Sequence, residues 1–173
     1  MENQQQDFAI LDNNSTAEEF FLPHGHGKRI IAISVNDTQN SDDVVEWALA
    51  NIIDKESDLV VLMNVRVTNR TADFAAIGGY AEDPLSIERE KECSHNTVKK
   101  YGVKMRQDGY NVKAYSLVGD AGPEIVKKAT ELNVDHLILG TRSLSGLKKI
   151  FLGSVSEYCS KHCKCAITIV KTH

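Results

Sequence analysis

The sequence predicts a single doubly wound α/β sandwich, built on a five-stranded parallel sheet with about four helices. A chain of 173 residues with 42% hydrophobic content is the size of one domain and can bury a core of its own. Short runs rich in Ile, Val and Leu lack the alternation of a half-exposed strand, which is typical of strands covered on both faces. Helical patterns separate these runs. A chain in which strands and helices follow each other in turn favours parallel strands that are joined by right-handed crossovers.

Five strands and four helices are predicted after residue 28. The strands are Ile30–Val35, Leu59–Val65, Val112–Val118, Leu137–Leu139 and Ala166–Val170, of which the third alternates and is placed at a sheet edge. The helices start at Ser41-Asp42-Asp43, cover residues 85–108, start at Gly122-Pro123-Glu124 and cover residues 154–163. Apolar spacing of three and four residues and a proline in a first turn are the signals for helix. In such sheets, ligands bind outside the carboxyl ends of the strands, where the strand order reverses.

Residues 1–27 differ from the rest of the chain in composition. They hold five acidic and no basic side chains, whereas 19 of the 24 acidic and all 20 basic residues follow. Their polar stretches leave too little apolar surface to fold. We therefore predict a disordered acidic leader over residues 1–27, dispensable for folding, before a domain over residues 28–173. The leader is unlike a transit or secretory peptide, so a cytoplasmic location is expected.

The composition argues against several classes of partner. The longest apolar runs are far short of the roughly 20 residues that cross a bilayer, so no membrane association is expected. The near-neutral domain lacks the basic excess that nucleic-acid binding normally requires. Cys159, Cys163 and Cys165 lie close to His162 but lack the paired C-x2-C spacing of structural zinc sites. They are interpreted as buried free thiols, and no metal is predicted.

An anion site is indicated where the fourth strand ends. Gly140 closes that strand, a basic loop containing Arg142 follows, and Gly153 with Ser154 opens the last helix. The first backbone N–H groups of a helix lack intrahelical partners and carry the positive end of its dipole, so this turn can hold an oxyanion. The alternative is structural. Ser154 and Glu157 have the spacing of a capping box, which would satisfy the same N–H groups internally.

The stretch from Gly140 to Ser154 closely resembles the signature G-x2-G-x9-G-(S/T) of the universal stress protein family, in its ATP-binding branch. The resemblance extends over residues 28–171 and includes the first strand through Trp47, the Gly119-Asp120 pair and the last strand. It implies the strand order 3-2-1-4-5, bound ATP with Mg²⁺, and a homodimer paired through the last strand, Ala166 to Val170. The implied ATP-binding residues are Ser34, Val35, Asn36, Val65, Gly140, Arg142, Ser143, Gly153, Ser154, Val155 and Ser156.

The chain departs from the family pattern at two positions. Ser143 stands where the second signature glycine is expected, and Asn36 stands where the first strand usually ends in an aspartate. Asp37 follows directly, so a shift of one residue in that loop would supply a carboxylate. These departures leave open a second interpretation, a nucleotide-free module of the same fold that binds a partner protein.

The sequence favours regulation over catalysis. It has no G-x4-G-K-[ST] phosphate loop and no glycine-rich turn after the first strand. It also shows no pairing of a nucleophile with a base, so hydrolysis is expected to be slow or absent and the chain is not classed as an enzyme. We expect the nucleotide to alter the surface offered to an unidentified protein partner. The segment Val67–Pro84 is either a lid over the nucleotide or a simple insertion.

Overall fold

The structure is a computed structural model that describes residues 9–15, 28–66, 83–141 and 153–171. Its strands are β1 (Ile10–Leu11), β2 (Arg29–Ser34), β3 (Asp58–Arg66), β4 (Val112–Val118), β5 (His136–Gly140) and β6 (Ala166–Val170). Its helices are α1 (Gln39–Asn51), α2 (Pro84–Gln107), α3 (Ala121–Glu131) and α4 (Ser154–His162). The predicted alternation of strands and helices from residue 28 onward is therefore confirmed.

All strands are parallel and form one sheet in the order β1-β4-β3-β2-β5-β6. The five predicted strands occupy the order β4-β3-β2-β5-β6, which is the order 3-2-1-4-5 that the family resemblance implied. The direction of winding reverses between β2 and β5. The predicted fold class is thus confirmed, with one additional strand.

The additional strand corrects two predictions. Residues 1–27 were expected to be a disordered leader, but Ile10 and Leu11 pair with Ala114 and Tyr115 of β4. Because β1 covers β4, the prediction that Val112–Val118 lies at a sheet edge is also wrong. Two apolar residues are too short a run to be detected by periodicity, and only the tertiary pairing gives them a strand conformation. Residues 1–8 and 16–27 lie outside the described part, so the leader remains a prediction there.

The sheet separates two apolar cores. One face packs against α1 and α2 through Val44, Val45, Ala48, Val98, Tyr101 and Met105. The other face packs against α3 and α4 through Ile125, Ala129, Leu132 and Cys159. Ile10 contacts the first core and Leu11 the second, as expected for adjacent residues of a strand. No helix in the described ranges is both long enough and apolar enough to span a membrane.

Candidate functional site

The candidate site lies where the sheet changes its direction of winding. β2 and β5 pair side by side, and the helices that follow them pack on opposite faces of the sheet. Two parallel strands whose connections depart to opposite faces leave a crevice beyond their carboxyl ends. The loop after β2, the end of β5 and the first turn of α4 border this crevice.

The backbone after β2 is fixed by the neighbouring strand. The Val35 N–H donates to the carbonyl of Met63 at 2.9 Å, which continues the ladder one residue beyond β2. The buried side chain of Asn64 donates through Nδ2 to the carbonyl of Val35 at 2.8 Å. Asn64 was not predicted as a site residue, although it is a polar residue in an otherwise apolar run. Its hydrogen bond sets the direction in which the chain leaves the sheet.

Asn36 holds the loop that leads into α1. Its N–H donates to Oγ of Ser41, and that hydroxyl donates back to Oδ1 of Asn36, both at 2.8 Å. The Thr38 hydroxyl donates to the same Oδ1. Thr38 occupies the N-cap of α1, so this helix begins two residues before the predicted start at Ser41. The side-chain oxygen of Asn36 is thus engaged within the loop, and the residue as a whole is exposed to solvent.

The first turn of α1 is anchored from the other side by α2. Asp42 accepts hydrogen bonds from Nζ of Lys100 at 2.6 Å and from the hydroxyl of Tyr101 at 2.8 Å. The Lys100 hydrogen bond holds the pKa of Asp42 below its ordinary value. Burial, together with the carboxylate, raises the pKa of Tyr101 to about 12. Tyr101 therefore stays a hydrogen-bond donor at any physiological pH, and α1 keeps its position beside the crevice.

Gly140 is required for packing at the end of β5. A Cβ at Gly140 would lie 2.8 Å from Cγ2 of Val44, a buried residue of α1. The absent side chain lets α1 approach the strand, a reason that the motif alone did not reveal. The next residue, Thr141, accepts through its carbonyl from Nδ2 of Asn40 at 3.2 Å. This bond, which sequence reasoning missed, joins the start of α1 to the end of β5.

The first turn of α4 faces the same end of the sheet. Gly153 is its N-cap, and no side chain caps the helix. Ser156, which is buried, donates its hydroxyl to the carbonyl of Gly140 at 3.3 Å and so ties α4 to β5. Glu157 pairs with Lys161 at 2.6 Å. The capping-box interpretation of Ser154 and Glu157 is therefore wrong, and no side chain in the described part of the chain caps the first N–H groups of α4.

Space is kept open at Gly153. A Cβ built there meets no atom of residues 9–15, 28–66, 83–141 or 154–171 within 4 Å. Its φ of −64° is accessible to any residue, so neither packing nor backbone strain requires glycine. At Gly140, by contrast, the side chain of Val44 occupies the space that a Cβ would need. Glycine is also tolerated well at an N-cap, but its small size beside N–H groups that have no side-chain cap is the arrangement expected for close approach of a ligand.

Two apolar side chains lie on the α4 face of the sheet near its carboxyl end. Val65 and Val155 are partly buried and both pack against the core shared by α3 and α4. Ser34 lies opposite Met63, which belongs to the same core, so Ser34 shares that face of the sheet. The edge thus combines an apolar face, a polar loop and helix N–H groups without a side-chain cap.

The structure accordingly brings most predicted site residues to one edge of the sheet. These are Ser34, Val35, Asn36, Val65, Gly140, Gly153, Ser154, Val155 and Ser156. Arg142 and Ser143 lie outside the described residues, as do residues 67–82 of the predicted lid or insertion. Cys159, Cys163 and Cys165 are free thiols on a different part of the fold, and burial raises the pKa of Cys159 to about 11.

Comparison with known proteins agrees with this architecture. The chain is 27% identical over 154 residues to the universal stress protein Sll1388 of Synechocystis, covering 85% of this chain and 99% of the relative. It superposes on the solved structure of the protein MJ0577 with a TM-score of 0.68 at 23% identity, covering 84% of this chain and 96% of the other. A family member from Arabidopsis thaliana, solved with AMP bound, gives a TM-score of 0.60 at 18% identity, covering 84% and 92%.

Two further solved family members match with lower scores. One is a complex with cAMP, with a TM-score of 0.53 at 18% identity over 82% of this chain and 95% of the other. The other, from Archaeoglobus fulgidus, is a complex with dAMP, with a TM-score of 0.55 at 16% identity over 84% and 98%. The model of the universal stress protein family matches residues 28–171, which include every described element except β1. The chain therefore belongs to the universal stress protein family.

Proposed function

We propose that this chain is a regulatory protein that binds ATP, together with Mg²⁺, in the crevice between β2 and β5 and hydrolyses it slowly or not at all. The observation that carries the proposal is the uncapped first turn of α4 beside the open space at Gly153. Family members solved with AMP, cAMP or dAMP support an adenine nucleotide as the ligand. An alternative class of ligand would leave the combination of apolar side chains and anion-binding turn without a common explanation.

The phosphates belong at the start of α4 in this proposal. The N–H groups of Ser154, Val155 and Ser156 lie in the first turn and have no side-chain cap. Such groups, with the positive end of the helix dipole, stabilise an oxyanion. Arg142 and Ser143 follow β5 in sequence, and we propose that they add a charged and a hydroxyl contact to the same phosphates.

The adenosine end belongs on the opposite side of the crevice. Val65 and Val155 offer apolar surface to a purine ring. Ser34 and the side-chain amide of the exposed Asn36 offer hydrogen-bonding groups for the base or the ribose. Because Oδ1 of Asn36 already accepts from Ser41 and Thr38, its contribution to the ligand is the NH₂ donor.

Isothermal titration calorimetry with ATP, in the presence and absence of Mg²⁺, tests the phosphate end. Gly153→Val places a branched side chain in the open space, and we expect the affinity to fall at least about tenfold in a protein that remains folded. Ser160→Val, an exposed position two turns along the same helix, is the matched control and should leave the affinity unchanged. Equal affinity in both variants would place the nucleotide elsewhere.

The loop after β2 can be tested through Asn36. Asn36→Ala removes the NH₂ donor together with the oxygen that accepts from Ser41 and Thr38, so it should weaken binding of ATP and ADP alike. Asp37→Ala is the matched control, because Asp37 is the exposed neighbour that a shifted alignment would make the ligand. Loss of affinity in Asp37→Ala alone would assign the contact to that carboxylate.

A nucleotide-free partner-binding module is the second candidate, favoured by the engagement of Asn36 Oδ1 inside its own loop. The two candidates differ in what the purified protein carries. Protein denatured directly after purification should release an adenine nucleotide, or should bind added ATP by calorimetry, if our proposal is correct. A folded protein that does neither supports the second candidate.

We also propose that the chain is a homodimer paired through β6. Within the described chain β6 pairs only with β5, so its outer edge is open, and Ile169 is partly exposed there. An open apolar edge strand readily pairs with a copy of itself. Ile169→Lys should convert the dimer to a monomer in multi-angle light scattering, and a monomeric parent protein at micromolar concentration would refute the proposal. Ile167 is less suitable because it packs on the core.

A further inference from the structure

Strand β1 is held by more than two residues of backbone pairing. Beyond β1, the side chain of Asn13 lies against the end of β4 and makes the two hydrogen bonds that the backbone of a further paired residue would make. Its Oδ1 accepts from the N–H of Val118 at 2.8 Å, and its Nδ2 donates to the carbonyl of Val118 at 3.2 Å. The same Nδ2 donates to a carboxylate oxygen of Glu124 at 2.8 Å. The Asn13 side chain thus bonds both the N–H and the carbonyl of Val118, and it also bonds Glu124 of α3.

A turn built by the segment itself presents Asn13 in this position. Oδ1 of Asp12 accepts from the N–H groups of Asn14 at 2.8 Å and Ser15 at 3.1 Å. The N–H of Asp12 donates to the hydroxyl of Ser15 at 3.0 Å. These local bonds bend the chain directly after Leu11. The turn that follows β1 is therefore held by hydrogen bonds within the segment itself.

The surface beneath the segment offers apolar and polar contacts at the positions where the segment has apolar and polar groups. Leu11 lies opposite Tyr115, whose ring has Nζ of Lys128 at 5.0 Å from its centre. The Lys128 side chain is 3% exposed, donates to the Asn13 carbonyl at 3.4 Å and pairs with Glu131 at 2.7 Å. Ile10 and Leu11 cover one core each. The edge of β4 therefore offers an apolar contact on each face, a backbone ladder and a polar end formed by Val118, Glu124 and Lys128.

We propose that the outer edge of β4 is a docking site for an extended peptide with two adjacent apolar residues followed, two positions later, by asparagine, and that residues 9–15 are its intramolecular occupant. Addition of a strand to a sheet edge is a general mode of peptide recognition, in which backbone bonds give affinity and side-chain contacts give specificity. The family match starts at residue 28, so β1 lies outside the matched region and is not part of the core fold. A strand of two residues is short enough to exchange with a peptide of the same pattern. Release of the segment leaves an open sheet edge.

Binding in trans is the direct test. The acceptor is the full chain carrying Ile10→Asp and Asn13→Ala, with folding checked by circular dichroism, and the probe is a labelled peptide of residues 9–15. Fluorescence polarisation should show that the acceptor binds the peptide at least about tenfold more tightly than the parent chain does, because the parent's own segment competes. A peptide with Asn13→Ala should bind at least about tenfold more weakly than the natural peptide, whereas Asn14→Ala, which alters an exposed side chain, should change binding by less than about twofold.

Hydrogen exchange in the full-length protein gives an independent readout. The amide of Val118, which donates to Asn13, should exchange faster in Asn13→Ala than in Asn14→Ala or the parent, while the central amide of Leu62 stays unchanged. A folded acceptor that ignores the peptide, or peptides with Asn13→Ala and Asn14→Ala that bind equally, would overturn the proposal. Equal protection of Val118 in all three chains would also overturn it.

Discussion

The two ends of the sheet differ in how their polar groups are used. At the amino end, Asp58 is buried and accepts from Nε and Nη2 of Arg29 at 2.9 and 2.7 Å, and from the N–H of Asp54 at 2.7 Å. Asp135 accepts from the N–H of Ile30 at 2.7 Å. Both carboxylates at this end are therefore engaged with groups of the chain itself. The amino end is closed and contributes to stability.

The carboxyl end has the opposite character. Here α1 and α4 both begin without a side-chain cap, and the space at Gly153 is open. Helix N–H groups without a side-chain cap can bond a ligand. In the described part of the chain, the amino end thus uses its carboxylates for internal hydrogen bonds, whereas the carboxyl end has the groups that we propose to bind the nucleotide. Substitutions at the amino end should therefore lower mainly the free energy of unfolding, and substitutions at the carboxyl end should lower mainly the nucleotide affinity.

The largest effect on stability is expected from Asp58→Ala. The side chain is fully buried and accepts three hydrogen bonds, and its removal leaves Nε of Arg29 and the N–H of Asp54 without this acceptor, although Nη2 of Arg29 still donates to the Ile52 carbonyl. Breaking a buried pair costs several kcal/mol, and because Arg29 is 47% exposed we expect about 2–3 kcal/mol from urea unfolding. Lys161→Ala, which removes the exposed pair with Glu157, is the control and should cost less than about 0.5 kcal/mol. Similar losses in both variants would contradict the view of a closed amino end.

The same carboxylate should make stability depend on acidic pH. Burial acts to raise the pKa of Asp58, but the hydrogen bonds from Arg29 and the Asp54 N–H outweigh it, so the pKa lies below its ordinary value. A group with a lowered pKa stabilises the fold above its unfolded pKa of about 3.9, and this contribution is lost as the pH falls through the folded pKa. The free energy of unfolding should therefore decrease below about pH 4, and less steeply in Asp58→Asn. Parallel pH profiles for the two proteins would show that Asp58 is not linked to folding.

A smaller loss of stability is expected from Gly122→Ala, next to the carboxyl end but inside a packed contact. A Cβ at this position would lie 2.9 Å from two ring carbons of Tyr158, so α3 and α4 would have to separate. Overpacking of this kind costs about 1–3 kcal/mol, measurable by thermal or urea unfolding. ATP affinity should change little if the start of α4 moves as a unit. A stability equal to that of the parent would mean that Tyr158 rotates away without cost.

The sequence predicts the elements whose signal is long and local. The runs in β2 and β3 contain enough consecutive apolar residues to identify a buried strand, and the helix predicted over residues 85–108 differs from α2 by one residue at each end. Strand β1 carries no such signal, because two apolar residues acquire meaning only against the edge of β4.

The predicted site shows the same division. Its location follows from the order of the strands and from the two glycines Gly140 and Gly153. The bonds that shape it are tertiary and could not be read from the sequence. The Ser41 hydroxyl bonds Asn36, and Gly140 is small because Val44 lies against it. Local rules identify which groups are present, and the packing of distant segments decides which of them remain available.

The smallest effect on stability, with the clearest separation from function, is expected from Gly153→Ser. Its φ and ψ of −64° and 154° suit a serine N-cap, so the new hydroxyl can accept from the N–H of Val155 or Ser156 and stabilise the fold by a few tenths of a kcal/mol. The same bond occupies an N–H group that we assign to phosphate, and loss of one charge-assisted hydrogen bond should weaken ATP binding about tenfold or more.

Gly153→Ala is the matched control, because alanine adds a comparable Cβ but cannot cap the helix. Its stability should therefore fall slightly, and its ATP affinity should fall less than that of the serine variant. Stability and ATP affinity would then change in opposite directions in the serine variant, whereas both would fall slightly in the alanine variant. A serine variant that is more stable and binds ATP as tightly as the parent would show that the first turn of α4 does not hold the phosphates, and the comparison between the two ends of the sheet would fail at its functional end.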